Sequence, residues 1–264
     1  MIIDGHSHVF LPVEQHIEIM DKAEVDKTIL FTTRIHPERA DNLESLEKEM
    51  KSLNDIVSGR KNLLLDPSYK ASIGELKQVI KKYPARYIGF GSVPVGLNQN
   101  DTNLYIEENI VKNKFAGMGE FTLPSGGIKI LTTIFEASRI FGKLPIWIHA
   151  FNPLILEDIK EIAELSKKFP EIPVILGHLG GSNWITAIEL AKAIPNLYLD
   201  TSAYFSTLVL KIAINELPLK CIFGVDMPYG DLELSKEAIK KVANEPYVAN
   251  SVLGDNIARL LNLL

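Results

Sequence analysis

Short apolar runs alternate along this chain with longer segments whose apolar positions recur every three to four residues. The short runs are rich in β-branched and aromatic residues, which is typical of buried parallel strands, and the longer segments have the period of helices. Eight strands are predicted in this way, at residues 2–6, 27–32, 87–93, 116–121, 145–149, 173–178, 197–200 and 221–226.

Helical patterns fill the intervals between these strands. Clear examples lie at residues 42–58, 128–141, 153–169 and 232–242. The alternation predicts an α/β protein with a parallel sheet. Eight strand–helix units in 264 residues favour a single (β/α)₈ TIM barrel, one domain over residues 1–264. An open doubly wound sheet is the alternative, but it would gather its ligands at one switch point between neighbouring strands.

Composition narrows the classes of partner. The net charge is −5 and no block of Lys or Arg stands out, so nucleic acid is not favoured and a small molecule is the expected partner. No apolar run approaches the ~20 residues of a membrane span. A single cysteine forbids an intrachain disulfide, and a strand beginning at residue 2 leaves no room for a leader, so the cytoplasm is the expected compartment. A homo-oligomer is left open.

Metal-ligating residue types stand where the predicted strands run into loops. His6 and His8 form a His-x-His pair on the first strand, where alternate side chains share a face. His149, His178 and Asp226 end the fifth, sixth and eighth strands. The carboxyl ends of all strands meet at one face of a barrel, where the active site of this fold forms. The sequence therefore predicts a metal site built from these residues.

Glu120 adds an acid at the end of the otherwise apolar fourth strand. It is a direct ligand or an acid that orients a histidine, and the sequence does not separate the two. A set of histidines and carboxylates with an open position suits Zn²⁺, or another divalent ion such as Mn²⁺, in a catalytic role. Asp200 ends the seventh strand and is interpreted as a supporting or turn residue, whereas His16 and His36 fall outside the pattern and are interpreted as structural.

Four motifs carry a resemblance to a known family. The chain resembles the amidohydrolase superfamily, and within it most closely the amidohydrolase-2 or aminocarboxymuconate-semialdehyde-decarboxylase-like branch. The motifs are DGHSH at 4–8, GHLGG at 177–181, FGVDMP at 223–228 and LGDNIARLL at 253–261. They occur in the right order across the whole chain.

The resemblance implies a ligand set. It implies that His6, His8 and Asp226 bind metal, that His149 is a further ligand, and that His178 binds a second metal or activates water. Glu120 is similar to the bridging glutamate of TatD-type metal-dependent DNases, although those enzymes have a further acid after it that this chain lacks. One or two ions per chain are therefore expected.

The leading functional hypothesis is a metal-dependent hydrolase acting on a small ester, lactone or amide. A divalent ion lowers the pKa of water from ~16 toward ~7, and Asp226 would carry the proton while His178 orients the water or polarises the substrate. The alternative is non-oxidative decarboxylation of a small aromatic or enoic acid, or TatD-like phosphodiester hydrolysis. A catalytically silent binding protein is disfavoured by the full ligand set.

Candidate substrate contacts follow the strand ends. Phe10, Phe151, Trp184 and Tyr229 are predicted to line a pocket, although aromatic residues there also anchor loops. Arg34, just past the second strand, is predicted to pair with a substrate carboxylate, or else with a neighbouring acid.

Overall fold

The computed structural model describes residues 1–58 and 67–263, and its centre is a parallel sheet of eight strands. Neighbours in the sheet follow the order of the chain, from β1 to β8. The strands are β1 (Ile3–His8), β2 (Lys27–Phe31), β3 (Tyr87–Gly91), β4 (Gly117–Phe121), β5 (Ile146–Ile148), β6 (Val174–Leu176), β7 (Leu197–Asp200) and β8 (Cys221–Ile222).

The first and last strands meet. The backbone N–H of Gly5 donates to the Phe223 carbonyl at 2.7 Å, and that of His8 donates to the Met227 carbonyl at 2.9 Å. A parallel bridge also joins Ser7 to Met227. These bonds bring β1 against the segment that follows β8, so the predicted TIM barrel is confirmed and the open sheet is excluded.

Helices on the outside connect the strands. They are α1 (Val13–Lys22), α2 (Leu43–Val57), α3 (Pro67–Lys82), α4 (Gln99–Ile106), α5 (Thr132–Ile140), α6 (Leu156–Lys168), α7 (Trp184–Ala193), α8 (Thr207–Glu216), α9 (Leu232–Val242), α10 (Pro246–Asn250) and α11 (Asn256–Leu260). The apolar faces of most of them cover the outer side of the sheet, whereas α2 has no buried residue. None of the helices in the described part of the chain has the length and apolarity to cross a membrane.

The barrel interior is a compact apolar layer below the carboxyl ends of the strands. It contains Phe31, Phe90, Trp147 and the isoleucines of β1, β2, β6 and β8, all fully buried. Their rings meet edge to face, with the Phe31 and Trp147 centroids 5.4 Å apart. Aromatic pairs in this arrangement add stability beyond the burial of area. This layer forms the support on which the strand-end residues rest.

Several element ends differ from the sequence prediction. β1 runs on to His8, whereas β5, β6 and β8 stop before His149, His178 and Asp226. His178 and Asp226 have φ angles of 55° and 63°, a left-handed conformation that cannot continue a strand. The segment 128–141 begins as a 3₁₀ turn, Ile128–Leu131, before α5. The prediction was therefore right about which strand carries each residue, and wrong about where those strands end.

Candidate metal centre

Six side chains converge at the carboxyl ends of five strands, and we call them the metal centre: His6, His8, Glu120, His149, His178 and Asp226. Nε2 of His8 lies 3.2 Å from Oδ1 of Asp226, and Nε2 of His6 lies 3.8 Å from the same oxygen. Subsets of these residues offer ligand atoms within 4.8 Å of one another. The barrel thus brings together all six residues that the sequence singled out.

Glu120 occupies the middle of the metal centre with its two oxygens facing different histidines. Oε2 lies 3.6 Å from Nε2 of His6 and 4.0 Å from Nε2 of His8. Oε1 lies 3.2 Å from both Nδ1 of His149 and Nε2 of His178. The carboxylate is therefore shared between two histidine pairs.

The hydrogen bonds at the outer side of the centre fix the tautomer of each histidine. Nδ1 of His6 and of His8, and Nε2 of His149, donate to an oxygen that can only accept: Asp200 Oδ2 at 2.6 Å, the Thr32 carbonyl at 3.3 Å and the Asn152 carbonyl at 3.1 Å. In the neutral form, each of these rings would turn a bare nitrogen toward the centre.

His178 follows the same pattern through a hydroxyl. The Ser202 hydroxyl donates to Asp200 Oδ2 at 2.6 Å, so Ser202 Oγ is left to accept from Nδ1 of His178 at 2.9 Å. In their neutral forms the four rings would turn lone pairs toward one another and toward two carboxylates, and Nε2 of His178 lies 3.0 Å from Nδ1 of His149. Nε2 of His6 is buried and has no hydrogen-bond partner among the described residues. Facing lone pairs repel unless a proton or a metal cation lies between them, and imidazole nitrogens with carboxylate oxygens are ligands of divalent metals, so this donor set fits a divalent metal.

Asp200 and Ser202 form the support of this arrangement. The Asp200 side chain is fully buried and also accepts from the Ser202 N–H at 2.8 Å. A Cβ at Gly224 would lie 2.1 Å from Asp200 Oδ1, so a glycine is required there for Asp200 to reach His6. The strand-end position of Asp200 was a visible signal in the sequence. Ser202 lies two residues beyond the strand and was missed.

Asp4 ties the first strand to the segment after β8. Its Oδ1 accepts from the backbone N–H groups of His6 and Val225, both at 3.1 Å, and its Oδ2 accepts from the Ser7 hydroxyl at 2.6 Å. The Ser7 hydroxyl in turn accepts from the Met227 N–H at 3.1 Å. Burial raises the pKa of Asp4 to about 7, against the lowering effect of these hydrogen bonds. This network holds Asp226 in register with His6 and His8.

Opposing charges shift the pKa values at the centre. Burial disfavours ionised Glu120, but His6 and His149 hold the pKa of its carboxyl well below its usual range. Burial likewise disfavours charged His6, but Glu120 and Asp200 raise the pKa of its imidazole well above its usual value. Buried carboxylates therefore favour positive charge at the centre, from protonated histidines or from a cation.

A cavity of about 460 Å³ opens above the metal centre. Arg34, Phe151 and Tyr229, three of the predicted substrate contacts, line it together with all the residues of the centre except His6. Apolar side chains of α2, among them Met50 and Leu53, form part of its wall. The volume is that of a site for a small molecule.

The other two predicted contacts lie elsewhere. Phe10 is 8% exposed and packs in the core with its ring 5.6 Å from that of His16, so it turns away from the cavity. Trp184 is the first residue of α7 and packs against the outer core. Neither is among the described residues that line the cavity. Position after a strand end does not by itself direct a side chain inward.

Comparison with known proteins agrees with this architecture. A family model described as Amidohydrolase matches residues 3–263. No curated protein matches the chain.

Similar solved structures include two decarboxylases and a hydratase. The 5-carboxyvanillate decarboxylase of Sphingomonas paucimobilis aligns with a TM-score of 0.68 at 16% identity, covering 99% of this chain and 98% of that one. A dihydroxybenzoic acid decarboxylase of Polaromonas sp. JS666, with bound manganese and the inhibitor 2-nitroresorcinol, aligns with a TM-score of 0.66 at 16% identity. The alignment covers 99% of this chain and 97% of that one. The 4-oxalomesaconate hydratase of Rhodopseudomonas palustris aligns with a TM-score of 0.65 at 16% identity, covering 99% of this chain and 96% of that one. At 16% identity these structures show that the fold is shared, and only the fold.

Proposed function

The chain belongs to the amidohydrolase family, and from this premise we propose that it is a metal-dependent decarboxylase that removes CO₂ from a small aromatic or enoic acid. Enzymes of this superfamily are metal-dependent. The sequence favoured hydrolysis of an ester, lactone or amide first and decarboxylation as the alternative. The neighbouring structures named above support the alternative better, since two of them are decarboxylases.

The observation that carries the proposal is the set of four imidazoles whose ring nitrogens face Glu120 and Asp226. His6, His8, Asp226 and Oε2 of Glu120 would hold one divalent cation, Zn²⁺ or Mn²⁺. When bound, the cation supplies positive charge that binds anionic oxygens of the substrate and stabilises negative charge as CO₂ leaves. His149 and His178 contact the other oxygen of Glu120 and keep that carboxylate oriented.

The reaction also needs a proton at a defined place. The bond between the carboxylate and the neighbouring carbon breaks, CO₂ departs without the bonding electrons, and the carbon takes up one proton. Asp226 is 14% exposed at its side chain and lines the cavity, and its contacts with His6 and His8 use Oδ1. We assign proton transfer to its Oδ2. His178, which also lines the cavity, would orient the substrate.

The test is CO₂ release from a panel of hydroxybenzoates, benzene dicarboxylates and enoic acids, with purified protein loaded with Mn²⁺ or Zn²⁺. We expect CO₂ and a product that carries one solvent deuteron at the vacated carbon when the reaction is run in D₂O. Asp226→Asn is expected to lower the rate by at least 100-fold. Asp231→Asn, at the N-terminus of α9, is the matched control and should keep the rate. Hydrolysis of esters or lactones without any CO₂ release would overturn the proposal.

Hydrolysis remains the second candidate because of the geometry of Glu120. Its two oxygens face two separate histidine pairs, an arrangement that suits a bridge between two cations. Close to two metals per chain, falling toward one in Glu120→Gln, would favour a two-metal hydrolase, phosphodiesters included. A single metal in both proteins favours the decarboxylase.

A further inference from the structure

Helix α2 differs from other long helices of the barrel in what its apolar side covers. None of its 15 residues is buried, whereas α3 and α6 have similar lengths and bury residues along one whole side. The apolar side of α2 consists of Met50, Leu53, Ile56 and Val57, which are all half-buried and all line the cavity above the metal centre. An amphipathic helix is stabilised when its apolar side leaves water, so on α2 this burial is left incomplete by the protein itself.

The same cavity contains the metal centre, so a molecule bound there reaches α2. Burial raises the pKa of Tyr229, and the carboxylates of Asp226 and Glu120 in the metal centre and of Glu49 on α2 raise it further. The Tyr229 hydroxyl is therefore near both groups. A cavity of about 460 Å³ admits a small molecule and not a second protein. What covers the apolar side of α2 is thus the ligand of the metal centre.

Polar contacts fix α2 in this position without burying its apolar side. Oε2 of Glu49 accepts from the His36 backbone N–H at 3.0 Å. The His36 ring lies between two acids, with Nδ1 2.9 Å from Oε1 of Glu38 and Nε2 3.4 Å from Oε2 of Glu75 on α3. Hydrogen bonds to these acids raise the pKa of His36 to about 9. The charged ring joins the loop before α2 to α3, and Glu49 joins α2 to that loop.

The wall of the cavity is apolar where α2 forms it. Of the α2 residues that line the cavity, all except Asn54 are apolar. Val93 and Val95, which follow β3, and Leu123, which follows β4, line the cavity too. A ring or a double bond with one carboxylate fills only part of about 460 Å³, so a ligand with more carbon than this is favoured.

We propose that α2 binds an apolar tail of the substrate, and so selects acids that carry several carbons beyond the part of the molecule that reacts. The inference rests on the proposed function, because it places the acid group at the metal centre. Leu53 lies at the middle of the apolar side of α2, and we assign it the main part in this selection.

The test is calorimetric binding of straight-chain trans-2-enoic acids, about four to ten carbons long, to the Mn²⁺-loaded protein. We expect each added CH₂ to tighten binding about two- to fourfold until the cavity is filled. Leu53→Asn places an amide on the apolar side of α2. It should leave the shortest acid unchanged and weaken the longest by about tenfold or more, since an unpaired amide disfavours an apolar neighbour.

Leu43→Asn is the matched control, because Leu43 is on the same helix but is 70% exposed and does not line the cavity. It should leave the whole series unchanged. The inference is overturned if affinity does not rise with length, if Leu53→Asn weakens the shortest acid as much as the longest, or if Leu43→Asn has the same effect as Leu53→Asn. The proposed function fails separately: a protein with the expected dependence on length that releases no CO₂ from any acid keeps the inference and loses the decarboxylase.

Discussion

His6 and His16 are buried to nearly the same extent, 0% and 1% exposed, and each has an Nε2 without a hydrogen-bond partner among the described residues. Their surroundings differ. His6 lies between the carboxylates of Glu120 and Asp200, whereas His16 lies between the rings of Phe10 and Tyr87. The pKa of His6 is raised and that of His16 is lowered to about 4.

The comparison teaches that burial alone does not make a histidine functional. Carboxylates next to a buried imidazole stabilise a proton or a cation bound to it, whereas neighbouring aromatic rings do not. At the metal centre every histidine has one nitrogen fixed by an acceptor and the other turned toward an acid. In the core around α1, the imidazole of His16 acts as a flat packing element. The predictions below use this contrast.

The largest expected effect is a loss of folding stability at acidic pH, and it tests the role of His16 in the comparison. Burial, and then Arg86, lowers the pKa of His16 from 6.5 to about 4, against a smaller opposing effect of Glu38. The folded protein thus keeps His16 neutral while the unfolded chain takes up a proton below pH 6.5. Stability is fully present above pH 6.5 and is lost as the pH falls toward 4, by up to about 3 kcal/mol.

The check is urea unfolding of wild type and His16→Gln at pH 7 and pH 4.5. The variant removes the titrating group, so its stability should fall less between the two pH values than that of wild type. If stability fell equally in the two proteins between pH 7 and pH 4.5, the pKa of His16 would not be lowered by folding. The contrast with His6 would then disappear.

Asp200→Asn tests the metal side of the comparison. Asparagine keeps the shape but offers an N–H where Asp200 Oδ2 accepts from Nδ1 of His6. The favoured tautomer of His6 would then carry its proton on Nε2, toward the cation. Metal affinity is expected to fall about 10- to 100-fold, with the fold intact. Competition with a chromogenic chelator measures it.

Asp158→Asn provides the matched control. Asp158 is also buried and accepts backbone N–H groups, from Ile155 at 2.8 Å and Gly126 at 2.7 Å, but it lies at the start of α6 and outside the cavity. It should lose about 1 kcal/mol of stability and no metal affinity. Equal metal affinity in wild type and Asp200→Asn would show that the tautomer of His6 does not depend on Asp200.

The smallest effect is expected for Ser202→Ala. Its hydroxyl links Nδ1 of His178 to Asp200 Oδ2, so its loss leaves the His178 ring free to change tautomer. We expect a rate about three- to tenfold lower and metal content unchanged, because the His6 side of Asp200 stays in place. Measuring the rate and the metal content on the same preparation distinguishes a slower reaction from a loss of metal. Loss of metal would place His178 among the residues that hold the cation.

The sequence predicted the barrel and the convergence of six side chains at the strand ends because both depend on local patterns. Apolar runs mark strands, and the carboxyl ends of all strands of a barrel meet at one face, so the residues at those ends lie near one another. His149 and His178 were found this way although 28 residues of chain separate them. His16 was likewise interpreted as structural because it falls outside the strand-end pattern.

The features that the sequence did not predict depend on contacts made only in the folded chain, which no local pattern shows. The direction of Phe10 is decided by packing on His16, and the bond between Ser202 and His178 joins residues 24 apart. The left-handed backbone at Asp226 lies in a segment bonded to β1, at the other end of the chain.

The most direct test of the account is calorimetric binding of Mn²⁺ to metal-free protein in three forms: wild type, His6→Ala and His16→Ala. We expect wild type and His16→Ala to bind close to one ion per chain with similar affinity, and His6→Ala to bind at least 100-fold more weakly while remaining folded by circular dichroism. Undiminished binding in His6→Ala, or an equal loss in His16→Ala, would contradict the claim that carboxylate-facing histidines at the strand ends form the metal site.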